Sequence, residues 1–318
     1  MTTVGSAPVI RVTGLRKAFG EHIVLDGIDL SVAEGTVFAL LGPNGAGKTT
    51  TVHILSTLIS ADAGQVQVAG HDINLDPDAV RAAIGVTGQF SAVDRFLTGE
   101  ENLVLMADLR HLGKRDGRRR TEELLVRFDL VEGARKLVST WSGGMQRRLD
   151  LAMTLVGDPR IIFLDEPTAG LDPRSRRTMW QMIRDLVDRG VTIFLTTQHL
   201  EEADRLADRV AVLDHGRIVA EGTPSELKRL VPGGHVRLEF ADNGELEKAT
   251  VVFPGASRDE ESLALLVPSD GGVGSLRALL DRLADASIDV DGLSVRTPDL
   301  DDVFLSLTGQ PDSRKGAA

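Results

Sequence analysis

The sequence predicts an α/β fold: a largely parallel sheet covered by helices, with a helical insert and a small C-terminal α+β domain. Three observations carry this. TVFALL, IIFL and VTIFLTT are unbroken apolar runs, the pattern of strands buried on both faces. Amphipathic segments alternate with them, such as MWQMIRDLVDR, which is apolar at Met179, Trp180, Ile183, Leu186 and Val187. The pattern changes again beyond about Leu230.

The alternating segments Val9–Gly14, His22–Val32 and Gln65–Ile73 read as N-terminal strands, and Arg209–Gly216 as a further one. Residues of about 90 to 156 carry the helical patterns ENLVLMADLRHLG and RRRTEELLVRFDL without a convincing strand, which marks them as an insert. The main domain is expected over residues 1–231. PGG at Pro232–Gly234 opens an accessory domain over 232–310, with HVRLEF, ATVVF and LALLV as strands and GSLRALLDRLADA and DLDDVFLSLTG as helices. PDSRKGAA, residues 311–318, reads as a disordered tail.

Among 318 residues, 42% are hydrophobic and 26% charged, a globular composition. The net charge of -11 argues against non-specific nucleic-acid binding. With no cysteine there is no disulfide framework and no thiolate metal site. No apolar run approaches the roughly 18–20 residues of a membrane span, and MTTVGSAPVIRV lacks a signal-peptide profile, so a membrane role is expected to work through a partner.

The chemistry sits at strand ends. GPNGAGKT, Gly42 to Thr49, fits the phosphate-loop pattern and follows a buried strand directly. Its glycines let backbone N–H groups wrap phosphates, Lys48 reaches the β and γ oxygens, and Thr49 offers Mg²⁺ a hydroxyl. IIFLDEP ends another buried strand in Asp165, placed to hold Mg²⁺ through its water shell, and Glu166, placed to polarise an attacking water. VTIFLTTQH ends in Gln198 and His199, where an imidazole can sense a γ-phosphate. IGVTGQF brings Gln89 to a strand end before the insert, within reach of Mg²⁺ or the water. WSGGMQRRLDLA begins as a second anion-binding helix start, with free N–H groups, a hydroxyl and no bulk.

Taken in order, Gly42–Thr49, Gln89, Trp141–Gln146, Asp165–Glu166, Asp172 and His199 resemble the ATP-binding cassette (ABC) ATPases over roughly residues 8–230. GPNGAGKTT, VTGQF, LTGEENL, SGGMQRRLDLA and DEPTAGLDPRSR are most similar to the daunorubicin/doxorubicin-resistance type of transporter ATPase. LDDVFLSLTG resembles that group's C-terminal extension. The resemblance implies a P-loop NTPase (ABC ATPase) core with a helical insert subdomain.

It also implies ATP and Mg²⁺ as cofactors, with ATP held by Phe19, Gly42, Pro43, Asn44, Gly45, Ala46, Gly47, Lys48, Thr49 and Thr50. Thr49, Gln89 and Asp165 would hold the metal, and Glu166, His199, Gln89 and Lys48 would carry catalysis. In such ATPases two subunits pack head to tail, so Ser142, Gly143, Gly144, Met145 and Gln146 would serve the partner's ATP, with Asp172 in the adjoining D-loop. A separate multi-span membrane permease is the implied partner, docked on the segment from Gln89 to about Leu105 at the cytoplasmic face of the membrane. A homodimer is the default, and no nucleic acid is expected. The cargo that the resemblance implies is a hydrophobic drug or lipid. The rival readings are a soluble non-transport ABC ATPase in translation or DNA maintenance and a catalytically silent nucleotide-gated module.

Three positions depart from the family pattern. Trp141 and Met145 stand where Leu and Gln are usual, with glutamine displaced to Gln146. Phe19 stands where an aromatic stacks on adenine, and a phenyl ring can stack without a hydroxyl.

Overall fold

Alternation at the N-terminus produces a half-exposed antiparallel sheet. In the computed structural model, which describes residues 7–88, 92–230, 234–259, 262–296 and 298–308, β1 (Ile10–Phe19) and β2 (His22–Val32) pair as an antiparallel hairpin. β3 (Val37–Leu41) follows, buried at every residue, and feeds α1 (Lys48–Leu55). The expected strand Gln65–Ile73 is two: β4 (Ala63–Val68) and β5 (His71–Asp72). Ala69 and Gly70 have φ of 55° and 88°, the left-handed pair that a two-residue hairpin turn needs. The sheet order is β2-β1-β4-β5.

α2 (Pro77–Ala83) leads to β6 (Ile84–Thr87). The insert holds α3 (Gly99–Leu109), α4 (Lys114–Arg127) and α5 (Gly143–Thr154). Among its described residues the only strand-like feature is a single bridge, Thr98 to Leu137. Thr98 and Glu101 form a reciprocal capping box that fixes where α3 starts. β7 (Ile161–Asp165), α6 (Pro173–Val187), β8 (Thr192–Thr197), α7 (Leu200–Leu206), β9 (Arg209–Asp214) and β10 (Arg217–Gly222) complete the first unit. Its second sheet runs β10-β9-β3-β8-β7-β6, parallel except for the edge strand β10, which the sequence reading missed.

A row of phenylalanines marks the register of this sheet. Phe38, Phe194 and Phe163 lie side by side on β3, β8 and β7, with centroids 5.5 and 5.6 Å apart and all fully buried. That alignment pairs Leu41 with Thr197 and Asp165 with Thr196, so the polar strand ends meet at one edge. Val52, Ile54 and Leu55 of α1 share one core with Ile10, Val12 and Leu30 of the antiparallel sheet and with the phenylalanine row. α6 buries Met179, Trp180, Ile183 and Leu186, part of the apolar stripe read from the sequence.

The chain divides into two compact units, Met1–Pro224 and Ser225–Ala318, with the short helix α8 (Pro224–Lys228) at the division. The second unit contains β11 (His235–Glu239), α9 (Asn243–Val252), β12 (Ser257–Asp259), β13 (Ala264–Pro268), α10 (Val273–Asp285), β14 (Gly292–Arg296) and α11 (Leu300–Thr308). Its antiparallel sheet runs β12-β13-β11-β14. ATVVF, expected as a strand, is the end of α9. The Asp242 side chain caps that helix at Glu245 N, and Leu246, Ala249 and Phe253 are buried at helical spacing, which outweighs the strand preference of two valines. The expected tail 311–318 lies outside the described residues.

Phe194 stands in the middle of the row, so Phe194→Ala should destabilise the first unit by about 3–5 kcal/mol. Urea denaturation should show a lower midpoint at an unchanged slope. A midpoint equal to wild type would show that the row does not hold the sheet together.

Candidate active site

The loop Gly42–Gly47 connects β3 to α1, and its shape depends on close approach rather than on side chains. A Cβ on Gly42 would lie 2.4 Å from the Leu213 carbonyl oxygen, and one on Gly47 2.6 Å from Leu25 Cδ2. Gly45 and Gly47 have φ of 83° and 109°, open to glycine and strained for other residues. Gly42 N donates to Thr197 O across the sheet at 3.3 Å. Ala46 is buried, and its Cβ would lie 3.3 Å from a Cβ added at Gly42.

Lys48 begins α1 and is 5% exposed. Its ammonium donates to the carbonyls of Gly42 at 2.8 Å and Pro43 at 3.0 Å, and lies 3.5 Å from Glu166 Oε1. Burial pushes the Lys48 pKa below the usual lysine value, with the nearby Glu166 carboxylate opposing. Thr49 Oγ1 donates to Asp165 Oδ2 at 2.8 Å, and Thr196 Oγ1 donates to Asp165 Oδ1. Two hard oxygens of a hydroxyl and a carboxylate thus meet beside the phosphate loop, a donor set suited to Mg²⁺ with waters and phosphates filling the remaining positions. Among the described residues no group of three or more His, Cys, Asp or Glu forms a self-sufficient metal site.

Glu166 takes φ of 49°, rare for a non-glycine residue and disfavoured before proline. Its N–H donates to Thr196 O at 3.1 Å and Thr196 Oγ1 at 3.2 Å. The turn aims the carboxylate into the cleft above the phosphate loop. Phe19, His22 and Val24 line one part of that cleft; Asn44, Gly45, Gly47, Lys48, Thr49, Thr50 and Glu166 line the rest. Phe19 is 54% exposed, too open for a core residue, with the Lys17 ammonium 5.3 Å from its ring centroid.

Other residues singled out from the sequence lie elsewhere. Ser142 caps α5, its Oγ accepting from Met145 N at 3.3 Å, and both Ser142 and Gly143 are exposed. None of Ser142, Gly143 and Gly144 lines the phosphate-loop cleft. A Cβ on Gly144 would lie 2.7 Å from Ser175 Oγ, which in turn donates to Asp172 Oδ2 at 2.6 Å. Asp172 is the N-cap of α6, and the Ser175 hydroxyl lowers its pKa most. Gln146 turns inward, donating to Trp141 O at 3.1 Å and Val138 O at 3.3 Å. His199 precedes α7, with its N–H on Thr197 Oγ1 at 2.9 Å, and does not line the cleft. Gln89 lies outside the described residues.

The sequence reading passed over Thr196, Arg147 and Glu202. Glu202, on α7, is fully buried, and its Oε1 accepts from Thr168 Oγ1 at 2.8 Å and Trp180 Nε1 at 3.1 Å. It ties the segment after Glu166 to α6 and α7. Burial raises its pKa, opposed by the Thr197, Thr168 and Trp180 donors and by His199. The folded state then holds this proton to higher pH than the unfolded chain, so stability falls as pH rises from the ordinary glutamate range through the raised value. Glu202→Gln keeps an acceptor and removes the titration. Its melting temperature relative to wild type should climb as pH increases, and a pH-independent difference would contradict the assignment.

The comparisons agree with this geometry. The sequence model of the ABC transporter family matches residues 25–169. The chain is 48% identical to the daunorubicin resistance ATP-binding protein DrrA3 of Streptomyces coeruleorubidus, over 97% of this chain and 98% of that one. It is 44% identical to the doxorubicin resistance ATP-binding protein DrrA of Mycobacterium tuberculosis (94% and 93%), and 40% identical to the Nod factor export ATP-binding protein I of Ralstonia nicotianae (96% and 96%). Among solved structures, an ATP-binding subunit of an ABC transporter superposes with a TM-score of 0.63 at 27% identity, covering 70% of this chain and 92% of that one. A dimeric post-hydrolysis ATP-binding cassette bound to ADP and Pi does so at 0.61 and 27%, covering 67% and 98%. With its phosphate loop, acidic strand end and helix start at the exposed Ser142 and Gly143 in place, the chain belongs to the ABC transporter family, as an ATP-binding subunit and an ABC ATPase.

Proposed function

We propose that this subunit powers export of a hydrophobic drug or lipid through a separate multi-span permease, hydrolysing Mg-ATP at two composite sites of a head-to-tail homodimer. The observation that carries the composite site is a separation. Lys48, Thr49 and Glu166 line one cleft, while Ser142 and Gly143 lie exposed on another element and outside it. A helix start left open in this way suits an anion brought by a second copy. The homodimer supplies one for each cleft.

Within each site the adenine stacks on Phe19, and the phosphates lie along the N–H groups of Gly42–Gly47 at the α1 N-terminus. Triphosphate oxygens compete with Glu166 for the Lys48 ammonium, now 3.5 Å away, and release the carboxylate to polarise water. Thr49 and Asp165 would hold Mg²⁺, whose charge would offset that of the phosphates. His199, Gln89 and Asp172 take the γ-phosphate-sensing, metal-linked and dimer-adjoining roles that the family resemblance assigns. Ser142, Gly143 and Gly144 close over the partner's nucleotide.

No helix among the described residues is long and apolar enough to cross a membrane, consistent with a peripheral place at the cytoplasmic face. In the segment expected to receive the permease, Phe96 is 88% exposed and Leu105 43%. The relatives' names for daunorubicin and doxorubicin resistance and for Nod factor export support an export role.

Glu166→Gln should lower ATP turnover by about 100-fold or more while nucleotide binding persists. Near-wild-type turnover would remove Glu166 from the base role. The dimer is tested by mixing. Lys48→Ala and Ser142→Arg, each inactive alone, should recover partial ATPase activity together, because mixed dimers contain one intact composite site. No recovery from soluble, dimerising variants would sink the head-to-tail arrangement. Affinity capture of tagged Glu166→Gln protein from membranes with Mg-ATP should bring down a multi-span protein, and capture of the dimer alone would count against the transporter reading.

A further inference from the structure

Immediately beyond the SGGMQ motif stands Arg147, whose side chain is 13% exposed and makes five polar contacts. Its Nε donates to Pro167 O at 2.9 Å, and its Nη2 to Asp165 O and Glu166 O, both at 3.0 Å. Three successive carbonyls of the Glu166 turn therefore converge on one guanidinium. Its Nη1 donates to Gly88 O at 3.2 Å and to Asp150 Oδ2 at 3.2 Å. Asp150, one turn along α5 and 3% exposed in its side chain, accepts from Ala92 N at 3.2 Å through its other oxygen.

Backbone carbonyls rarely point toward one centre over three residues. Here they do at a turn where Glu166 sits at φ of 49°, and a five-donor planar fork takes all three while still reaching Gly88 and Asp150, more acceptors than the three donors of an ammonium can serve. A lysine ammonium, a point charge on a flexible stem, lacks that shape. Arg147 also stands on α5, the helix that begins with Ser142.

We propose that Arg147 is a positioning residue for hydrolysis. It locks the Asp165–Pro167 turn so that the Glu166 carboxylate faces the phosphate-loop cleft, and it ties that aim to the position of the helix that meets the partner's nucleotide. One side chain thereby couples the two half-sites carried by one subunit, while Asp150 holds the guanidinium from the far side. This rests on the reading that Glu166 activates water.

The test uses the full chain with Arg147→Lys and Arg147→Gln, measuring kcat, the ATP dissociation constant with a fluorescent ATP analogue, and the melting temperature. Misaiming the base should cost about 10- to 100-fold in kcat. ATP affinity should stay within about twofold, the split expected when an interaction serves only the transition state. Lysine should fail to rescue, which separates the fork from charge alone. In a Glu166→Gln background, Arg147→Lys should add no further loss, since there is no base left to aim.

Unchanged kcat in Arg147→Lys overturns the proposal, as does a loss of affinity matching the loss of kcat. Should the Arg147 variants fail to fold, Asp150→Asn leaves the three carbonyl contacts in place and loosens their anchor. A smaller fall in kcat at unchanged affinity then supports the proposal, and unchanged kcat overturns it. An inactive Glu166→Gln beside a fully active Arg147→Lys refutes only the positioning role, whereas a fully active Glu166→Gln refutes the reading of the base itself.

Discussion

The Asp165 carboxylate is where the structure's constraints meet. It is 1% exposed and accepts hydroxyl hydrogen bonds from Thr49 on one side and Thr196 on the other. A charge so deep in the protein is tolerated only when its lone pairs are satisfied. The two donors come from α1 and β8, and the carboxylate itself ends β7. Those three elements can meet there only if the parallel strands are in register. The buried phenylalanine row packs in that register, Phe38 opposite Phe194 and Phe194 opposite Phe163, and so reinforces the strand pairing. Aromatic burial in the middle of the sheet thus supports polar geometry at its edge.

From that fixed point the chain must turn sharply, and the turn is strained. A non-glycine residue at φ of 49° costs roughly 1–3 kcal/mol. Hydrogen bonds to a charged donor contribute about 1.5–3 kcal/mol each, so the Arg147 contacts with Asp165, Glu166 and Pro167 are enough to offset it. The Glu166 carboxylate meanwhile lies within ion-pair distance of Lys48, whose ammonium also holds the Gly42 and Pro43 carbonyls. Base and phosphate loop therefore restrain each other. A bound triphosphate changes both at once.

What could be read from the sequence follows from how local each signal is. TVFALL, IIFL and VTIFLTT were legible as buried strands because burial on both faces leaves no room for polar residues. The phosphate loop was legible because close approach and positive φ demand glycine at Gly42, Gly45 and Gly47 whatever the rest of the chain does. ATVVF was misread because strand preference is local, whereas its helical state rests on a cap and a buried face that begin seven residues earlier, at Asp242. Thr196 and Arg147 were illegible for a different reason. A threonine in a strand and an arginine on a helix are ordinary, and their partners lie 31 and 18 to 20 residues away in the sequence. Their roles exist only once the strand ends are brought together.

The departures from the usual signature pattern belong to one packing solution. Trp141 is larger than the leucine it replaces, and glycines make room for it on two sides: a Cβ on Gly99 would lie 2.4 Å from its ring and one on Gly133 3.2 Å. Met145 extends its terminal methyl toward the same Gly133, where an added Cβ would lie 2.8 Å away. Position 145 thereby contributes an apolar side chain to this corner rather than an amide. The amide function instead belongs to Gln146, one residue on, which donates to the Val138 and Trp141 carbonyls and secures the chain entering the helix. Ser142 and Gly143, the groups with room to meet a phosphate, stay exposed between these two inward-facing anchors. The altered motif keeps its outward chemistry because its changes are confined to the side chains that face in.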